Sequence, residues 1–133
     1  MGGLLPEVSL TNRGVLPEKF TAVTSNEGMK NIKLFRGVSG YQFSLIIRVY
    51  YSNTNNVFII QCNNGSFVID KLTTGSFPLK FKVKDSDLYI TLDTLPIASV
   101  SVAYISIGSL SGYTIYMEAD YTDLSDASDV TIQ

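Results

Sequence analysis

The chain has 133 residues, 45% of them hydrophobic and 17% charged, with net charge −2, one cysteine, and neither histidine nor tryptophan. That length suits one domain able to bury its own core, while the lone cysteine excludes an internal disulfide and Cys-x-x-Cys chemistry. The absence of histidine removes the Ser-His-Asp and Cys-His arrangements and the commonest neutral metal ligand, and no apolar run reaches the roughly 18 to 20 residues that span a bilayer.

Residues 1–30 are punctuated by Gly2, Gly3, Pro6, Gly14 and Pro17 and hold no period, so they read as a leader or linker, with one possible strand near Lys19 to Val23. Met1 to Leu10 has neither the basic start nor the apolar block of a signal peptide. From residue 31 to 120 the pattern becomes short strands between turn signals. Asn31 to Arg36 ends at the turn residues Gly37 and Gly40. Gln42 to Tyr51 is a long strand, apolar on both faces at its centre, followed by a turn at Ser52 to Asn56. Val57 to Cys62 and Ser66 to Leu72 flank Asn64-Gly65, the strongest short hairpin signal. Leu79 to Lys84 alternates apolar residues with Lys80, Lys82 and Lys84, turns at Asp85 to Asp87, and pairs with Leu88 to Asp93. Pro96 breaks the chain before Ile97 to Ile107; a loop at Gly108 to Gly112 precedes Tyr113 to Asp120. Residues 121–133 read as an acidic tail. About eight short-linked strands and no helix predict a single all-β domain, an antiparallel, jelly-roll-like β-sandwich.

Charge is unevenly distributed. Residues 1–84 hold all ten bases and four acids, net +6, whereas residues 85–133 hold eight acids and no base, net −8. Either the two halves cancel within one domain, or basic and acidic surfaces of neighbouring copies meet in a ring. The chain as a whole is acidic and its bases are not clustered in excess, so nucleic acid is not an expected partner.

Cys62 reads as a small buried hydrophobe. Asp70, Asp85, Asp87, Asp93 and Glu118 are the only groups left for acid–base chemistry, but turns and solvent faces account for them, so no catalytic residue is assigned. Asp120, Asp123, Asp126 and Asp129 recur every third residue without the glycine and terminal glutamate of an EF-hand loop; a solvated tail or helix-stub caps explain them, and no metal or cofactor is expected. The lysines at 80, 82 and 84 suit either an anionic ligand or protection of a strand edge. Asn64-Gly65-Ser66 matches a glycosylation sequon that the turn already explains. The best binding candidates are Tyr50, Tyr51, Asn53, Asn55 and Asn56 at one strand end, where flat rings adjoin two-way amides of the kind that sugars use.

The successive segments Asn31-Ile-Lys-Leu-Phe-Arg-Gly, Ser44-Leu-Ile-Ile-Arg-Val-Tyr, Asn56-Val-Phe-Ile-Ile and Phe81-Lys-Val-Lys-Asp-Ser-Asp-Leu-Tyr-Ile-Thr-Leu resemble the C-terminal head domains of bacteriophage tail fibres and related receptor-binding proteins. The likeness covers residues 31–120. It implies a virion-associated or extracellular, trimeric host-recognition module that binds a cell-surface glycan or protein receptor, without enzymatic activity and without membrane insertion. The rival expectation is a structural virion or cell-surface β-domain that assembles without a small ligand. The segments include no virion anchor and no repetitive shaft of the kind a complete fibre carries.

Overall fold

A computed structural model describes residues 19–37, 40–92, 97–107 and 113–133. Residues 1–18, the break at Pro96 and the loop read at 108–112 lie outside the described residues, as does the site of Asp93.

Ten strands are described: β1 (Lys19–Met29), β2 (Asn31–Gly37), β3 (Gln42–Tyr51), β4 (Thr54–Asn63), β5 (Ser66–Lys71), β6 (Lys80–Lys84), β7 (Asp87–Thr91), β8 (Ile97–Ile107), β9 (Tyr113–Asp120) and β10 (Ser128–Val130). They form two five-stranded sheets that pack as a sandwich. Sheet one runs β9-β2-β7-β6-β10 and sheet two runs β1-β8-β3-β4-β5. Every strand pair is antiparallel. The expected β-sandwich is present, with two strands more than the eight read from the sequence: β1, longer than the segment suspected near residue 19, and β10, which lies inside the acidic stretch.

Three tight turns set the registers. Ser52 and Asn53, Asn64 and Gly65, and Asp85 and Ser86 all have positive φ, from 51° to 83°, which is the type I′ geometry that matches strand twist. The first of these turns is only two residues long, because Tyr51 pairs with Thr54 and Tyr50 with Asn55. Thr54 to Asn56, read as turn for their polarity, therefore belong to β4.

Alternation sends Phe43, Leu45, Ile47 and Val49 of β3, and Phe58, Ile60 and Cys62 of β4, into the core. Across the interface, Ile32, Leu34, Phe81, Leu88 and Ile90 of sheet one meet them. Two irregularities re-aim side chains. A register shift between Lys33 and Phe35 lets both Leu34 and Phe35 be buried, so Phe35 contacts Tyr104 and Tyr113 edge-on. A second shift, between Ile115 and Glu118, puts Met117 at φ 50° and buries it. The sheets approach closely at Gly37: a Cβ there would lie 2.5 Å from the sulfur of Cys62.

The central strand of sheet one, β7, is buried along its whole length. Leu88 and Ile90 face the core. Asp87, Tyr89 and Thr91 face outward, yet they are covered by neighbouring side chains and by residues 121–125, which cross the outer face from β9 toward β6. The crossing is fixed where Asn31 donates to the carbonyl of Thr122 (2.7 Å), where Lys84 donates to the carbonyl of Asp123 (3.1 Å), and by burial of Leu124. The acidic stretch thus continues the fold. Asp126 pairs with Lys84 at 3.0 Å and Asp129 with Lys82 at 3.4 Å. Within one copy, these contacts join the acidic end of the sequence to the lysine-rich strand.

Candidate functional site

The five residues singled out in the sequence divide into two groups. The alternation of β3 places Arg48 and Tyr50 on the outer face of sheet two, and the turn brings Asn53 and Asn55 beside them. Tyr50 donates its hydroxyl to Asn53 Oδ1 (3.1 Å), and Arg48 Nε donates to Asn55 Oδ1 (2.9 Å). The guanidinium sits 5.8 Å from the centroid of the Tyr50 ring, a contact that holds both groups in place. Tyr50 is exposed. Each asparagine spends its amide oxygen internally and retains Nδ2 donor capacity toward solvent.

Tyr51 and Asn56 do not join this patch. Tyr51 packs half-buried against the core. Asn56 is 1% exposed; it donates to the carbonyl of Ser76 and accepts from the hydroxyl of Thr73, which in turn accepts from the amide of Val57. Such a satisfied buried amide organises the connection after β5 and has nothing left to offer a ligand. Arg48, missed in the sequence reading, was detectable as an alternate-position neighbour of Tyr50.

The carboxylates are dispersed. Asp70 lies on sheet two, Asp87 and Glu118 lie on sheet one, and Asp85 sits in the turn between β6 and β7. Asp87, 3% exposed, takes a bidentate pair from Arg36 (2.8 and 3.0 Å) with the ammonium of Lys33 at 3.6 Å. Lys33 also stands 4.3 Å over the ring of Tyr116. Asp120 accepts from the amide of Thr122 and Asp123 from that of Ser125; the latter bond holds the Asp123 carboxyl below its usual range. Among the described residues no cluster of three acids or cysteines is placed to hold a metal ion. A recess of about 280 Å³ lies where the crossing segment passes β2 and β6, lined by Lys30, Asn31, Lys82, Thr91, Asp123 and Ser125. Its two buried polar members bond each other, Thr91 Oγ1 to Asn31 Oδ1 at 2.7 Å.

The Cys62 thiol, the Tyr89 phenol and the Lys33 ammonium are all shifted in one direction. Burial pushes the Cys62 thiol and the Tyr89 phenol up. For Lys33, burial opposes the charge, but the attraction of Asp87, Tyr89, Tyr116 and Asp120 outweighs it and raises the ammonium too. In each case the folded chain holds its proton more tightly than the unfolded chain. Their contribution is therefore complete below the ordinary values and is lost as pH rises through the raised ones. The urea midpoint should fall steadily from about pH 8.5 upward, thiol first, then phenol and ammonium. Cys62→Ala should remove the earliest part of that decline; a midpoint unchanged to about pH 10.5 would contradict the burial of the thiol and the phenol.

No protein-family model, no curated protein and no solved structure matches this chain.

Proposed function

We propose that the domain is a non-enzymatic recognition module, comparable in role to a tail-fibre head, which binds a cell-surface glycan or a glycosylated receptor through the outer face of the β3–β4 hairpin. One observation carries this reading: Arg48, Tyr50, Asn53 and Asn55 form an exposed patch whose side chains are already fixed by one another. Prior fixing lowers the ordering cost of binding. The tyrosine ring offers a stacking face for a pyranose, and the amides and guanidinium offer donors to its hydroxyls.

Glycan-array screening followed by calorimetry on the best hit tests the reading. Tyr50→Ala and Arg48→Ala should each weaken binding about tenfold or more, the scale of a truncated hot spot, with the unfolding midpoint little changed. Asn56→Ala should do the reverse, lowering stability because it strands buried partners. Full binding by both patch variants would overturn the assignment.

A second reading, assembly without a small ligand, has its own support. Ile46, Ile59 and Ile105 lie side by side in register across β4, β3 and β8 on the same outer face, each half-buried, with Val57 and Val68 beside them. An aliphatic row on an outer sheet face suits contact between copies, as a trimer built on sandwich faces requires. Light scattering decides it: Ile46→Lys with Ile59→Lys should reduce any assembly to monomer without altering glycan binding by a monomer.

A further inference from the structure

Residues 128–133 are attached differently from the segment that precedes them. Residues 121–124 are anchored by the buried Leu124 and by the bond from Asn31 to Thr122. A turn follows, closed by the amide of Ala127 on the carbonyl of Leu124 (3.0 Å). Beyond it, Ser128, Asp129 and Val130 pair with Val83, Lys82 and Phe81 at the edge of sheet one. Ile132 then bridges Ile69 in parallel, while Gln133 exchanges main-chain bonds with Ile69 (2.9 Å) and Lys71 (3.1 Å) at the edge of sheet two. The segment is a strap lying between the edges of β6 and β5.

Its hold is light. Hollows of about 250 Å³ and about 300 Å³ flank it, both bordered by Val130. Its two ion pairs use aspartates 73% and 65% exposed, and pairs open to water contribute little. What the groove recognises is main chain along two strand edges, two lysines matched to acids at 126 and 129, and aliphatic side chains at 130 and 132. A strap from another copy satisfies the same requirements.

We propose that the β5–β6 groove is an interaction surface whose partner is the 126–133 segment of a second copy of this chain, so that copies join by exchanging straps. The turn at 125–127 is the hinge. Nine residues beyond Leu124 can reach about 30 Å when extended, and exchange of an identical element adds no new contact chemistry and little cost. This inference is independent of the glycan reading and of the aliphatic row on sheet two.

The test uses full-length chains carrying one engineered thiol each, Lys82→Cys in one and Asp129→Cys in the other, with Cys62 left buried in place. A double variant, Lys82→Cys/Asp129→Cys, should close a disulfide within one chain and so verifies both folding and register. After mixing and gentle oxidation, the single variants should give an interchain disulfide in about tenfold or greater excess over a mixture of Asp129→Cys with Thr114→Cys on β9, because docking raises the local thiol concentration. If the double variant closes but the two mixtures cross-link equally, or not at all, straps do not exchange. If the double variant fails to close, the strap is not seated on β6 and the proposal also falls.

Discussion

Phe58→Ala is expected to lower the free energy of unfolding by about 3–5 kcal/mol, the range for truncating a fully buried phenylalanine. Phe58 is 0% exposed on β4 of sheet two. Its ring meets Phe81 of β6 edge-on at 5.1 Å and Phe77, in the connection between β5 and β6, at 4.8 Å; Phe77 and Phe81 stack at 5.4 Å. The triad spans both sheets and the chain that links them. Its loss combines the transfer term for the ring, a cavity that two rigid neighbours cannot fill, and two edge contacts. Equilibrium urea denaturation measures it. A loss below about 1 kcal/mol would mean that the two sheets are not in contact there.

Gly37→Ala is the second large effect, and its signature is non-additivity. The added Cβ would lie 2.5 Å from Cys62 Sγ and 3.2 Å from the Cα of Gly65, with the Phe67 ring at 3.4 Å. The neighbours are a short side chain and backbone, so relief requires the sheets to part, at a cost of about 1–3 kcal/mol. Gly37 is also fixed by the hydrogen bond that its amide donates to the carbonyl of Ser86, 2.9 Å. Cys62→Ala removes the closest atom, so the double variant should be more stable than Gly37→Ala alone, although Cys62→Ala by itself leaves a small void. Strict additivity in that cycle would show that residues 37 and 62 do not touch.

The division between what was legible and what was not follows from range of interaction. Asn64-Gly65 announced its hairpin because the turn conformation is a local demand. The two-residue rhythm exposed β6 and β7 because each has an inner face that must be apolar, whereas β3 was legible from a centre apolar on both faces. Asn56 failed the same logic: an asparagine in a polar run resembles a turn residue, and only Thr73 and Ser76, 17 and 20 residues on, make it a strand residue with a buried amide. Tyr51 was grouped with Tyr50 for its type, although odd positions of β3 face inward. β10 escaped because Asp129 within it and Asp126 just before it suggest solvation, and their partners Lys82 and Lys84 stand more than forty residues earlier. Adjacent apolar residues such as Leu34 and Phe35 could not both be assigned to the core without knowing that the register slips between Lys33 and Phe35.

The crossing of residues 121–125 over the outer face of sheet one also fixes an order of events. These residues follow β2, β6 and β7 in the chain, so a ribosome releases those three strands well before the segment that shields Tyr89 and Thr91 and the strand that caps β6. During that interval the nascent sheet presents an unpaired margin to other nascent chains. Lys80, Lys82 and Lys84 on that same margin supply like-charge repulsion while it stands open, and when residues 126–130 arrive Asp126 and Asp129 neutralise two of them. The lysine row acts in turn as a guard during synthesis and as a mooring once the fold is closed.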